Sequence, residues 1–279
     1  MSGSDKSHSN VRLDNGMRHQ ARKRFGQNFL KDAAIIARII DHINAQPSDH
    51  VLEIGPGQGA LTESLARDAG RLDCVELDRD LARYLDKYFV NNDKVTIIQQ
   101  DILKFDLDSL TDKPHSLRVI GNLPYNISTP VLFYLLRKHE LINDMTFMLQ
   151  LEVVQRMVAG VGDKNYGRLG LMLQYFCEVE HLFNVPSSAF SPQPKVASAI
   201  VQLRPHRQMP VQAADADMLQ QVIRTAFNQR RKTLKNSLKG IISEAALQDL
   251  PVDITLRPEN LSLQDYVVIS DAISSQTEA

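Results

Sequence analysis

The 279-residue chain is predicted to fold as an α/β protein: an open, mostly parallel sheet covered on both faces, followed by a small all-helical C-terminal domain. Three observations predict this. Short apolar, β-branched runs alternate with stretches of helical periodicity as far as about residue 205. The first such run ends in a glycine-rich turn, Gly55-Pro56-Gly57-Gln58-Gly59. Beyond Arg204-Pro205-His206-Arg207-Gln208-Met209-Pro210, which reads as a linker, only helical patterns remain. Hydrophobic residues make up 43% of the chain, enough for a full core in one large domain or two.

Residues 1 to about 20, rich in Ser, Asn, Asp, Gly and His, are expected to form a flexible basic tail. A helix is expected from Asp32 to Ile43, where Ile35, Ile36, Ile39, Ile40 and Ile43 keep helical spacing. Val51 to Ile54 then reads as a strand, and after the glycine turn Ala60 to Ala69 reads as a helix stopped by Gly70. Leu72 to Val75 is a second strand and Leu81 to Val90 a helix; Val95 to Ile98 is a third strand, ending near Asp101. Leu117 to Ile120 is a fourth, running into Gly121-Asn122-Leu123-Pro124-Tyr125. Pro130 to Arg137 reads as a helix and Met145 to Leu149 as a strand, with Leu171 to Val179 and Ala199 to Leu203 as the last two strands. Helices follow over Leu219 to Phe227, Leu234 to Leu238, Ile241 to Leu247 and Tyr266 to Ile273. Alternation of this kind gives βαβ units and a buried parallel sheet. The organisation so read is a tail (1–20), an α/β domain (21–205) and a helical domain (206–279).

The formal net charge is −1, so no global imbalance announces a polyanionic partner. The charge is segregated, however. Met1 to Lys31 holds seven Lys/Arg against two Asp/Glu, and Glu244 to Ala279 one Arg against seven Asp/Glu. Such segregation suggests a polyanion-facing side, but charge runs are usually just solvated faces. Cys74 and Cys177 sit in apolar stretches without CxxC spacing, as small buried hydrophobes of a reducing compartment do. The basic N-terminus has no apolar run behind it, and no stretch approaches the roughly 20 apolar residues of a membrane span. A cytoplasmic protein is expected, with no membrane partner and no metal site.

The glycine turn follows the first strand, where a ligand can approach the backbone closely. Its spacing, Gly55, Gly57 and Gly59, does not meet the dinucleotide pattern G-x-G-x-x-G, and alone it is compatible with a tight strand-to-helix connection. The acids add to it. Glu76 closes the second strand, where a carboxylate can accept both ribose hydroxyls of an adenosine lying across the strand ends. Asp101, just past the third strand, can accept from an adenine amino group. Asp78 reads instead as the N-cap of the helix that follows. The pattern indicates an adenosine-bearing ligand without choosing between S-adenosylmethionine and NAD.

Asn122-Leu123-Pro124-Tyr125, at the end of the fourth strand, bears on the choice. The lone pair of an aromatic amine is delocalised into its ring, which makes the nitrogen a poor nucleophile. Accepting both N–H bonds draws that nitrogen toward tetrahedral geometry. An Asn carboxamide oxygen is one such acceptor, and a backbone carbonyl held beside a proline is another. An aromatic residue next to them can stack on a purine, worth roughly 1–3 kcal/mol per base. Methyl transfer from a sulfonium then needs positioning more than a strong base. The same four residues also suit an ordinary turn.

Taken together, these motifs resemble the ribosomal RNA adenine N6,N6-dimethyltransferases, most closely their bacterial small-subunit branch. That family carries an N-L-P-Y motif after its fourth strand, a glycine motif matched by Glu53-Ile54-Gly55-Pro56-Gly57, and an early segment matched by Phe25-Gly26-Gln27-Asn28-Phe29-Leu30. Later matches are Ala189-Phe190-Ser191-Pro192-Gln193-Pro194-Lys195-Val196 and Phe227-Asn228-Gln229-Arg230-Arg231-Lys232-Thr233. The resemblance runs from about residue 21 to 270; at Gln58-Gly59 the loop varies from some relatives, and little effect is expected there. It implies a Rossmann-like S-adenosylmethionine methyltransferase sheet and S-adenosylmethionine as cofactor. Asn28 and Leu30 would close over the cofactor, Gly55 and Gly57 pass their backbone close to it, Glu76 hold the ribose and Asp101 the adenine. Asn122 would bridge cofactor and substrate amine within the catalytic set Asn122, Leu123, Pro124 and Tyr125. Tyr125 and Phe190 would stack on opposite faces of the target base, the prolines flanking Phe190 arguing for its exposure. The implied substrate is a pair of adjacent adenosines in the 3′-terminal hairpin loop of small-subunit ribosomal RNA, each methylated twice by a monomeric enzyme during ribosome biogenesis.

Two basic clusters suit contacts to RNA phosphates: Arg22, Lys23 and Arg24 near the start, and a segment from Arg224 to Lys239 that contains no acid and includes Arg230, Arg231, Lys232 and Lys235. A basic but merely solvated helix face is the plainer account of the second. A target adenosine must leave its stack to reach Asn122. Leu123, where many DNA adenine methylases have proline, is expected to loosen the pocket for a second methyl. Other readings are a large-subunit ribosomal RNA adenine methylase, a DNA adenine methylase, a ribosome-assembly binding factor without turnover, and a NAD-dependent dehydrogenase.

Overall fold

The structure, a computed structural model, describes residues 10–12, 18–20 and 27–277. Arg22, Lys23 and Arg24, and most of the expected tail, lie outside the described residues. In chain order the elements are β1 (Asn10–Arg12), β2 (Arg18–Gln20), β3 (Phe29–Leu30), α1 (Ala33–Ile43), β4 (His50–Ile54), α2 (Thr62–Asp68), β5 (Arg71–Glu76), α3 (Arg79–Tyr88), β6 (Val95–Gln99), β7 (Leu117–Asn122), α4 (Ser128–Leu136) and β8 (Ile142–Gln150). There follow α5 (Leu151–Val158), α6 (Arg168–Phe176), β9 (Cys177–Val185), β10 (Phe190–Ser191), β11 (Ser198–Pro205), α7 (Ala216–Asn228), α8 (Leu234–Ser237), α9 (Glu244–Gln248) and α10 (Leu263–Thr277).

The main sheet has seven strands in the order β6-β5-β4-β7-β8-β11-β9. From β6 through β8 every pairing is parallel, and β11 runs antiparallel to β8. The sheet therefore grows in one direction from β4 to β5 and β6, and in the other from β7 to β8. The crevice between β4 and β7 is the switch point at which open α/β sheets bind ligands, at the carboxyl ends of the strands. Register makes this concrete. Ile54 pairs with Val75 on one side and Gly121 on the other, so the chain emerges from β4, β5 and β7 at one level, with Gly55, Glu76 and Asn122 at the edge.

The fold-class expectation holds, and its causes are visible residue by residue. Val51, Leu52, Leu72, Val119, Phe147 and Leu149 are buried, as strands covered on both faces require. Asp32 caps α1 by accepting from the N–H groups of Ala34 and Ile35, and Asn44 ends it in the left-handed region with φ 47°. Asp78 caps α3 through the N–H of Asp80, as its position predicts.

Three local expectations need correction. Leu171 to Val179 is not one strand: α6 runs to Phe176 and β9 begins at Cys177. A continuous apolar run suits a buried helix as well as a buried strand, and periodicity does not separate them. Second, β10 and β3 form a two-stranded antiparallel pair, with Phe190 opposite Leu30, from segments too short to carry a pattern. Third, β1 and β2 pair within the stretch read as a tail.

Packing divides the chain into two compact units, Met1–Leu151 with His181–Arg204, and Glu152–Glu180 with Pro205–Ala279. The helical unit thus takes in α5 and α6, where the sequence places its start at 206. Within it, the Tyr175 hydroxyl accepts the Ala213 N–H at 3.2 Å, and the Tyr166 and Tyr266 hydroxyls donate to the Leu261 and Pro258 carbonyls.

Candidate active site

The carboxyl ends of β4, β5 and β7 open onto a cavity of about 370 Å³ within the first unit. Its wall includes Asn28 and Leu30, the turn from Gly55 to Gln58, Glu76, Asp101, and Asn122 to Tyr125. All the residues assigned to the cofactor from sequence, and the whole N-L-P-Y segment, are therefore on one surface. Phe190 is not. It is 2% exposed and packs in the core with Leu30, Ile39 and Ile200, so the exposure predicted from its flanking prolines is not found. The pairing of β10 with β3 turns the ring inward despite those prolines.

The turn is built on positive φ angles: 66° at Gly55, 61° at Gly57 and 89° at Gly59. These are strained for any residue with a Cβ. The turn is tied to β5 by the Gly55 N–H, which donates to the Val75 carbonyl at 2.9 Å, and by the Gly57 N–H, which donates to Glu76 Oε2 at 3.1 Å. Glu76 Oε1 accepts the Asp78 N–H at 2.8 Å. Burial pushes the Glu76 carboxyl above its usual range, and the charge on Asp78 adds to this, while these backbone N–H groups act the other way. Asp101 accepts the Leu103 N–H at 3.0 Å through one oxygen, the bond that starts a short 3₁₀ turn.

Asn122 closes β7. Its side-chain nitrogen donates to the Asn28 carbonyl at 3.2 Å. A carbonyl can only accept, so this bond fixes which way the carboxamide points: the nitrogen faces the N-terminal segment, and the oxygen is the acceptor on the other side. The next residue, Leu123, is buried, and its N–H donates to the Met148 carbonyl at 3.3 Å. The Pro124 carbonyl accepts the N–H groups of both Ile127 and Ser128, each at 3.1 Å. Tyr125 lines the cavity with its hydroxyl 2.8 Å from Ser198 Oγ, and burial raises its phenol above the ordinary value.

The sequence profile of the ribosomal RNA adenine dimethylase family matches residues 18–275, nearly the whole chain. The chain belongs to this family. A Pseudomonas putida KT2440 protein named ribosomal RNA small subunit methyltransferase A is 55% identical over 261 residues, covering 94% of this chain and 98% of that protein. One of the same name from Marinobacter nauticus is 53% identical, covering 94% and 95%. Among solved structures, a dimethyladenosine transferase from Plasmodium falciparum superposes with a TM-score of 0.73 at 28% identity, covering 86% of this chain and 95% of that one. The 23S rRNA methyltransferase ErmE does so with a TM-score of 0.69 at 26% identity, covering 88% and 100%. The dimethylase is thus a methyltransferase, and its family implies ribosomal RNA as substrate and use of S-adenosylmethionine. The cavity fits such a ligand: a glycine-rich turn that lets the backbone come close, a buried carboxylate at the second strand end and a further acid at the third meet a ribose diol and an adenine amine.

Four residues of the dimethylase site escape the sequence reading. Glu53, 2% exposed, lines the cavity from β4, and burial pushes its carboxyl up to about 7. Gln27 donates from Nε2 to Asp78 Oδ2 at 3.3 Å, tying the N-terminal segment to the start of α3. Gly121 is required because a Cβ there would lie 2.7 Å from the Ile54 carbonyl oxygen. Ser198, fully buried on β11, anchors Tyr125 from 73 residues away. None carries a local sequence signal for these roles.

The second basic cluster lies in the helical unit. Arg224, Arg231, Lys232, Lys235 and Lys239 are exposed. The absence of acids within the segment is offset by acids from elsewhere in the unit: Lys235 Nζ is 2.5 Å from Glu244, and Arg230 Nε 3.7 Å from Glu259. Arg230 also donates to the Lys164 carbonyl at 2.7 Å. Among the described residues no helix is long and apolar enough to cross a membrane.

Proposed function

We propose that the dimethylase converts two adjacent adenosines in the 3′-terminal hairpin loop of small-subunit ribosomal RNA to N6,N6-dimethyladenosine, in the cytoplasm, during ribosome biogenesis. The observation that most supports this is the fixed carboxamide of Asn122 beside the glycine turn, with Glu76 and Asp101 on the same wall. The names of the relatives at 53–55% identity favour the small subunit over the large-subunit target of a structure at 26%.

Glu76 would hold the ribose hydroxyls, Asp101 the adenine amine, and the turn at Gly55 and Gly57 the methionine part, with Asn28 and Leu30 closing that end. When bound, S-adenosylmethionine supplies a methyl carbon on a sulfonium, and the new N–C bond forms as the C–S bond breaks. The chain's own residues prepare the nucleophile. Asn122 Oδ1 accepts one N6 hydrogen. The Pro124 carbonyl is already engaged by two backbone N–H groups, so the second acceptor beside the proline is the Leu123 carbonyl. Pulling both hydrogens out of the ring plane localises the lone pair toward the methyl carbon, and the surplus proton leaves to solvent afterwards. Tyr125 would stack on the flipped base. Phe190, in the core, would serve the second face only after a local rearrangement. Arg22, Lys23, Arg24, Arg230, Arg231, Lys232 and Lys235 would meet phosphates. Proline at Leu123 would lack the N–H that reaches Met148 and so shift this backbone.

Methyl transfer to undermethylated small and large subunits, with the nucleoside identified by mass, tests the proposal. Dimethyladenosine on small subunits, lost with Asn122→Ala by a factor of roughly 10² or more, is expected. Product on large subunits alone, or full activity of Asn122→Ala, would refute it.

A further inference from the structure

The ionisable groups on the cavity wall are uneven in sign. Among the described residues they are the carboxyls of Glu53, Glu76 and Asp101 and the phenol of Tyr125; no Lys, Arg or His lines the cavity. Carboxylates suit the ribose hydroxyls and the positive centres of S-adenosylmethionine. They repel its remaining charged group, the α-carboxylate of the methionine part. That group must be met by neutral N–H donors.

Most neutral donors on the wall are committed. The Asn122 amide donates to the Asn28 carbonyl, Gln27 to Asp78, Gln100 to the Lys104 carbonyl at 3.1 Å, and the Gly57 N–H to Glu76. Asn126 is exposed. Gln58 differs: it lines the cavity, and its Nε2 is buried with no hydrogen-bond partner among the described residues. A buried donor without an acceptor is a standing cost in the ligand-free protein, and an arriving acceptor removes it. Its place in the glycine turn, between Gly57 and Gly59, is the part of the wall assigned to the methionine end.

We propose that the side-chain amide of Gln58 is the donor that recognises the α-carboxylate of the cofactor. This rests on the assignment of S-adenosylmethionine to the cavity. It also means that the turn position at which some relatives differ is a specificity residue for the cofactor's amino-acid end rather than a neutral one.

Calorimetric titration of the full chain with two ligands tests it: S-adenosylhomocysteine, and S-adenosyl-3-thiopropylamine, which lacks only the carboxylate. Gln58→Leu is expected to weaken S-adenosylhomocysteine by roughly 10- to 100-fold, as loss of a hydrogen bond to a charged group does. It should leave the amine ligand within about twofold and the ligand-free melting temperature no lower than that of the unaltered protein, since it removes an unsatisfied polar group. Gln58→Met, of matching length and without the donor, should behave alike and stands in if the leucine variant folds poorly. Unchanged binding of S-adenosylhomocysteine by either folded variant, or equal weakening of both ligands, would overturn the proposal. An unaltered protein that bound neither ligand would overturn the cofactor assignment itself, and this inference with it.

Discussion

Replacing Glu53 with glutamine should make the ligand-free dimethylase more stable above neutral pH. Glu53 is 2% exposed near the end of β4, and burial is the main force that moves its carboxyl from the ordinary 4.5 to about 7, with the charge of Glu76 adding to it. The Cys74 thiol, which donates to Glu53 Oε2 at 3.8 Å, offsets only part of this. Between those two values the folded protein binds a proton that the unfolded chain does not. Stability therefore falls as pH rises through that window, fully present below 4.5 and lost above 7. At about 1.4 kcal/mol for each tenfold change in proton affinity, the loss is on the order of 3 kcal/mol. For a chain of this size each 1 kcal/mol moves the melting temperature by roughly 2–4 °C. Glutamine mimics the protonated acid at every pH. Melting curves from pH 5 to 8.5 should show the variant and the unaltered protein alike at the acid end and the variant several degrees higher at the alkaline end. A difference that stays constant with pH, or a variant less stable at pH 8, would refute the reasoning.

Tyr125→Phe and Ser198→Ala each break the 2.8 Å hydroxyl contact, and the phenylalanine variant leaves a fully buried hydroxyl behind. Each should cost about 1–3 kcal/mol in denaturant titrations, with the double variant no worse than the poorer single one; additive losses would deny the coupling. Gly121→Ala would place its Cβ 2.7 Å from the Ile54 carbonyl and force β4 and β7 apart, at a cost of about 1–3 kcal/mol with weakened binding of S-adenosylhomocysteine. An alanine variant that melts and binds normally would rule that strain out. Replacing exposed Arg231 and Lys232 by alanine should flatten the plot of log affinity for RNA against log salt by about 1.4–1.8, the range set by single- and double-stranded contacts. An unchanged slope would exclude both from phosphate contact.

What the sequence disclosed and what it withheld follow from one physical distinction. A residue at the end of a strand announces itself locally, because a break in the apolar run marks the end and the side chain there declares its chemistry. Gly55, Glu76, Asp101 and Asn122 are of this kind, and all four reach the cavity. A residue whose role depends on another strand announces nothing. Gly121 must be glycine only because β7 lies against β4 with Gly121 opposite Ile54. Ser198 is a site residue only because β11 runs antiparallel to β8 with Ser198 opposite Gln150, which puts it under Tyr125. Phe190 shows the converse error: its prolines are a local signal for exposure, and a two-residue pairing with β3 overrides it. The same holds for Leu171 to Val179, whose composition suits either structure until neighbours decide. The groups that touch ligand are thus readable one at a time, while those that hold them in position are readable only as pairs. A substitution scan of this chain guided by motifs alone would find the first set and overlook Ser198, whose loss should loosen Tyr125 without altering a single motif residue.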